Sequence, residues 1–233
     1  MDQIKIKFAR PRGAALALIL AAERLIAEHG SAIVSLRQIT EAAGVSNSSA
    51  VNYHFGSREA LLLAVFQYRM GDINRRRHLY LDQLAAEGRL DDQRSLVGAM
   101  IHPLSEQLAP RQEGNFYVRF LERTSREGMR DTLAEMHPLM TGWLELEGHL
   151  RRTMAWLPPP VIDFRVRTMR ENAVSGLASI EAMLEHDPAA GAELMLQVGM
   201  LVDANVAMLA GPVSPEVIRI IGGDERHGLP HSG

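Results

Sequence analysis

Between positions 47 and 54, six of eight side chains can hydrogen-bond: Asn47, Ser48, Ser49, Asn52, Tyr53 and His54. Amides, hydroxyls and an imidazole at this density suit recognition rather than bond breaking. They match the donors and acceptors on base edges, and short side chains let the backbone approach a phosphate, where a helix N-terminus is favourable. Such a segment has few apolar groups to bury, so Val45 and Val51 must anchor it. Basic neighbours that can reach a polyanion are Arg37 before it and Arg58 after it.

Three short helices must position this segment. The run 13–29 has an apolar side of Leu16, Ile19, Leu20, Leu25 and Ile26 and stops at Gly30. In Val34-Ser35-Leu36-Arg37-Gln38-Ile39, Ser35 can cap the Gln38 amide while Gln38 reaches back. Gly44 ends that helix, and a third begins at Ser46 or Asn47 and runs to about His54. Ser57 caps a long helix from Arg58 to about Ala86. Further helices are expected at about 93–109, 115–130, 139–156, 160–186 and 189–210, punctuated by proline and glycine. No sustained strand alternation appears, so the fold class is all-α. A helix-turn-helix domain is expected over 1–57, with 1–12 a flexible basic arm. A larger helical domain follows over 58–221, and 222–233 is expected to be disordered.

The string SLRQITEAAGV (35–45), followed by Asn-Tyr-His-Phe-Gly-Ser-Arg-Glu-Ala-Leu (52–61), resembles the TetR family of bacterial transcriptional regulators. The clear resemblance spans about residues 13–66. It implies that the Tyr53 hydroxyl binds a phosphate, that His54 lies near the DNA backbone and that Phe55 packs the small domain's core. Arg58 stands where a lysine is more usual and would pair a phosphate. Arg37 would reach the backbone, Asn47, Ser48, Ser49 and Asn52 are left to read bases, and Ser46 is placed with them as a DNA contact. The stretch from Gly44 to Phe55 is one residue longer than the common family pattern, so the extra residue must lie in the turn or the first turn of the recognition helix.

Composition divides along the chain. The 233 residues carry a net charge of -3, but residues 1–80 carry +5 and the remainder -8. A basic N-terminal third on an acidic body fits one end meeting a polyanion. Arg75-Arg76-Arg77 lies roughly 25 Å along its helix from Arg58, which points to a solvated or salt-bridged role on the body. There is no cysteine, hence no disulfide, thiolate metal site or cysteine nucleophile. Lys5, Lys7, Arg10 and Arg12 precede the apolar run Ala14–Ala22, but Glu23 and Arg24 follow at once, unlike a signal peptide. Nucleophile-elbow, dinucleotide, P-loop and zinc-protease motifs are absent, and His102-Pro103 and His137-Pro138 read as helix punctuation. No catalytic residue, metal or cofactor is implied. The alternatives are a protein-binding helical scaffold, which would not retain selected DNA, or an enzyme without a recognisable motif.

Residues 194–210 are apolar nearly all round, as expected of a helix buried on its own core and on a partner. The resemblance implies homodimerisation through this helix and the preceding one, with Met169, Ala173, Gly176, Ile180, Met195, Val198, Val202 and Val206 at the interface. It also implies an effector pocket in the body. Ten of the twelve methionines follow residue 99, and Met100, Phe116, Phe120, Met140, Trp143 and Met169 are candidates to line it. The expected partners are a near-palindromic DNA operator, a second copy of the chain and an unidentified small molecule, with no membrane. The regulator would be a cytoplasmic repressor released by an apolar or amphipathic effector.

Overall fold

The computed structural model describes residues 11–45, 47, 49–108, 115–126 and 139–222, and among these every regular element is helical. Helix α1 (Gly13–His29) buries Leu18, Ile19, Ala22 and Ile26. Helix α2 (Leu36–Ala42) opens on the capping box read from the sequence: Gln38 N–H donates to Ser35 Oγ (3.3 Å) and Ser35 N–H to Gln38 Oε1 (2.8 Å). It closes on a Schellman turn. Gly44, at φ 66°, donates to the Glu41 carbonyl and Val45 to the Thr40 carbonyl, a left-handed geometry that suits a residue without Cβ.

Helix α3 (Ala50–Phe55) is only six residues long. It begins later than either cap expected from the sequence. The Asn47 side chain instead accepts the Ser49 N–H (2.9 Å), and the Asn47 carbonyl accepts from Ala50 (3.0 Å). Asn47 therefore shapes the turn that leads into the helix. Short polar side chains compete with the backbone in this way, and that delays helix entry.

Helix α4 (Arg58–Ala86) starts at Ser57, which caps the Ala60 N–H (3.1 Å), and extends about 44 Å. Its inward face packs on α1 and α3, then on α5 (Gln93–Ser105) and α7 (Thr141–Thr153). Pro103 does not end α5, contrary to its reading as punctuation. A proline cannot donate to the carbonyl four residues back, which leaves Ala99 without its helical partner. Arg77 supplies the replacement, donating from Nε to the Ala99 carbonyl (3.3 Å) and from Nη2 to the Met100 carbonyl (3.2 Å). His137-Pro138 lies outside the described residues.

Helix α6 (Tyr117–Arg126) wedges between α1 and the long α8 (Pro159–His186). A 3₁₀ turn over 188–193 leads to α9 (Leu194–Ala210), which packs on α5 and α8. A further helix absent from the sequence reading, α10 (Pro215–Ile221), starts on the Ser214 cap with Pro215 in its first turn. That serine-proline pair was its signal. One continuous buried cluster runs from Ile39 and Val51 through α4 to Leu209, with no break near residue 57.

Candidate nucleic-acid interface

Helix α3 is held by two buried residues, Ala50 and Val51, with Phe55 half-buried against the same core. The rest of the helix and of the described turn before it faces out: Asn47, Ser49, Asn52, Tyr53 and His54 are exposed. Tyr53 is 83% exposed, its ring edge-on to His54 with centroids 5.0 Å apart. An aromatic side chain this open, beside an imidazole and two amides, forms a surface rich in donors and acceptors. Among the described residues only the Asn47 side-chain oxygen of this set takes part in a hydrogen bond, from the Ser49 N–H. Ser46 and Ser48 lie outside the described residues.

The cations are arranged differently from the expectation. Arg37 is exposed on α2 and paired with Glu41 at 2.8 Å, a surface i,i+4 contact that a phosphate can replace at little cost. The Glu41 hydrogen bond and charge raise its pKa further, so it remains a cation. Arg58 is half-buried. Its Nη1 donates to the Val34 carbonyl at 2.6 Å and its Nη2 to the Ser31 carbonyl. In this structure Arg58 therefore ties the α1–α2 loop to the start of α4 instead of projecting toward a phosphate.

The basic third is only partly surface: Arg12 and Arg24 are exposed, but several of its arginines are committed within the chain. Arg69 is buried and forms a two-pronged ion pair with Glu23 of α1 (2.7 and 2.8 Å). Arg75 pairs with Asp72, Arg76 with Asp72 and Glu106, and Arg77 is buried. The salt-bridged role expected for the triplet thus describes Arg75 and Arg76, whereas Arg77 is a core residue. Lys5, Lys7 and Arg10 fall outside the described residues.

The body's candidate residues lie mostly in one packed core. Met100, Phe120, Trp143 and Met169 are buried, and Phe116 and Met140 are half-buried. Phe116 also lines a cleft of about 310 Å³ between α1 and α2, together with Leu20, Glu23 and Ala43. Of the residues expected at a dimer interface, Met169, Ala173, Ile180, Val198 and Val202 are covered by the chain's own core. Gly176 explains the close approach of α8 and α9 within one chain, because a Cβ there would lie 2.6 Å from Leu201. Met195 is exposed and Val206 half-buried. The uncovered apolar side of α9 is instead Met195, Leu196 and Met200, with Phe164 exposed on α8. By length and composition the stretch Gly191–Ala210 is apolar enough to cross a membrane, and 22% of it is buried.

Sequence reasoning missed Glu23, Arg69, Tyr117 and Glu181. Glu23 accepts the Phe116 N–H (3.1 Å) in addition to Arg69. Glu181 of α8 accepts the N–H groups of Val118 (3.3 Å) and Arg119 (2.9 Å). Burial pushes the Glu181 carboxyl up to about 7. The first turn of α6 is thus clamped by carboxylates from α1 and α8. No periodicity announces such pairs, since their members are 93 and 63 residues apart.

A short helix with two inward anchors and an outward polar face, set across a Gly44 turn from a capped helix, defines a helix-turn-helix DNA-binding module. Residues 18–65 match the model of the bacterial regulatory proteins of the tetR family. The chain is 29% identical over 184 residues, 72% of its length and 83% of the relative's, to the HTH-type transcriptional regulator BetI of Agrobacterium fabrum. Its fold is similar to that of the fatty acid degradation regulator FadR from Bacillus halodurans (TM-score 0.54, 17% identity, 87% of this chain and 98% of that one). It is also similar to a TetR family transcription regulator from Marinobacter aquaeolei (TM-score 0.53, 19% identity, 82% and 94%). The resemblance carried by residues 35–61 is borne out: the protein is a TetR-like DNA-binding transcriptional regulator.

Proposed function

We propose that the protein acts as a homodimeric, effector-responsive repressor in the cytoplasm, and that α3 reads a near-palindromic operator. The observation that carries this reading is the outward face of α3, where Asn47, Ser49, Asn52, Tyr53 and His54 are exposed on a two-residue anchor. Two such helices in a two-fold dimer would enter successive major grooves about 34 Å apart. The uncovered flank of α9, with Met195, Leu196 and Met200, supports a second copy as the partner, because exposed apolar surface of this kind marks an interface. In this reading residues 1–57 bind DNA, 58–221 bind ligand and dimerise, and the tail from 222 takes no part. Arg37, Ser46 and Ser48 remain candidate contacts beside the α3 face, and the basic arm over 1–12 supplies charge.

The test is a salt-titrated binding assay on the DNA upstream of the protein's own gene, against unrelated DNA, with wild type and Asn52→Ala. Asn52 is exposed and its removal should leave folding intact. Loss of about 1–3 kcal/mol of discrimination is expected, with little change in non-specific affinity. Equal retention of both DNAs by the wild type would overturn the reading.

A further inference from the structure

The inward face of α4 presents Phe66, Met70, Ile73 and Arg77 at helical spacing, all buried. The last of these is a guanidinium that is 2% exposed. Its two hydrogen bonds go to the neutral carbonyls of Ala99 and Met100, and among the described residues no carboxylate pairs with it. A guanidinium has five N–H donors, so these contacts leave donor capacity unused and the charge uncompensated in a low-dielectric core. Burial depresses the Arg77 pKa to about 10, which still leaves it cationic at neutral pH.

Tyr117, the first residue of α6, is fully buried, and among the described residues its hydroxyl has no hydrogen-bond partner. The ring lies between Phe66 (centroids 6.3 Å) and Phe120 (6.1 Å). Arg77 and the tyrosine are close enough for each to act on the other's ionisation. Native interiors rarely leave such a group unsatisfied. The ring packs on Phe66 of the same α4 face that carries Arg77, and Glu23 and Arg69, which also act on the hydroxyl, already pair with each other. One unused donor and one cation without a carboxylate thus share this part of the core, and an anionic acceptor would serve both.

We propose that Arg77 and Tyr117 form the head-group end of a site in the body for an apolar monocarboxylate, an alkyl or arylalkyl acid. The carboxylate accepts from the Arg77 guanidinium and the Tyr117 hydroxyl. The apolar portion displaces adaptable buried side chains such as Met70, on the same face of α4, and Met100, whose carbonyl accepts from Arg77. This deepens the reading of the chain as effector-responsive and rests on it. The route to DNA is short. Tyr117 lies in the α6 turn whose Phe116 N–H is held by Glu23 of α1, and Glu181 of α8 holds the amides of Val118 and Arg119. A ligand that draws on Tyr117 shifts this turn and, through Glu23, the helix against which α2 packs.

Calorimetry and thermal denaturation on the full chain test this, with octanoate and phenylacetate as probes and octanamide and phenylacetamide as uncharged controls. At least one acid should bind and raise Tm, and its amide should bind about tenfold more weakly or not at all. Tyr117→Phe keeps the ring and removes only the orphan hydroxyl. It should fold with unchanged or higher Tm and lose about tenfold in affinity for the acid, with the amide unaffected. Arg77→Met, if folded, should abolish the preference for acid over amide. Absence of binding by both acids, equal binding of acid and amide, or a lower Tm for ligand-free Tyr117→Phe would each overturn the site. Adding upstream DNA separates the two readings. Acid binding that depends on Tyr117 but leaves the DNA complex intact supports the site and removes its effector role. DNA release by an uncharged compound, with neither acid bound, removes the site and leaves the effector reading standing.

Discussion

Helix α3 and the interior of the body use polar residues in opposite ways. On and just before α3 the exposed groups are amides, hydroxyls and rings, and the helix carries no arginine or lysine. In the interior, by contrast, Arg69, Arg77 and Arg165 are all buried. Arg69 answers Glu23, Arg77 answers the carbonyl freed by Pro103, and Arg165 closes the end of α9 by donating to the Leu209 (2.5 Å) and Gly211 carbonyls. The arginines serve as internal connectors, whereas the DNA-facing helix works with short hydrogen-bonding groups. Charge summed along a sequence therefore says little about where charge meets solvent. The +5 of the first 80 residues includes two buried guanidiniums, Arg69 and Arg77, and four more, Arg37, Arg58, Arg75 and Arg76, engaged by carboxylates or carbonyls.

The largest effect should come from isolating one of these buried charges. Glu23→Ala leaves Arg69 without its carboxylate and the Phe116 N–H without its acceptor, and should cost about 3–5 kcal/mol in urea denaturation. The double variant Glu23→Leu/Arg69→Met removes both charges and should recover most of that loss. If the single variant is as stable as wild type, the interior arginines are not connectors and the contrast with α3 fails.

What the sequence makes legible follows from the range of the forces involved. The Ser35–Gln38 capping box, the Gly44 turn and the α3 anchors depend on neighbours within five residues, so composition and spacing reveal them. The start of α3 was misplaced because Asn47 and Ser49 favour a turn with their own backbone over helix, a competition between local options of similar free energy. The function of α3 is legible because an exposed polar helix has no structural reason to exist. Long-range choices are not legible in this way. Nothing near Pro103 indicates that Arg77 replaces its missing donor, and nothing near α6 indicates that Glu23 and Glu181 hold its amides. The apolar residues of α8 and α9 read equally well as core and as interface. Periodicity reports that a face is buried and leaves open what buries it, which is how Met169, Ala173 and Val198 came to be expected at the dimer contact.

Arg58 lies on the boundary between the two regions and separates their roles. Its donors go to Val34 and Ser31, so Arg58→Ala should lower stability by about 2 kcal/mol through two lost charge-assisted hydrogen bonds. It should leave the salt dependence of DNA binding unchanged. A reduction of that slope by about one, at unchanged stability, would place Arg58 with the DNA-facing groups instead.

The smallest effect should be the most selective. Tyr53 is 83% exposed and its described contact is an edge-on ring contact with His54, so Tyr53→Phe removes one hydroxyl from a surface and nothing from the core. Stability should stay within about 0.5 kcal/mol of wild type. A hydroxyl donating to a phosphate contributes about 1 kcal/mol of affinity, applied equally to operator and unrelated DNA because phosphate contacts carry no sequence information. A neutral donor releases no counterion, so the salt slope should also stay constant. Three measurements on one variant thus separate a positioning contact from base reading and from charge neutralisation. A loss confined to operator DNA would move Tyr53 from the phosphates to the bases. No loss on either DNA would leave its exposure without a use.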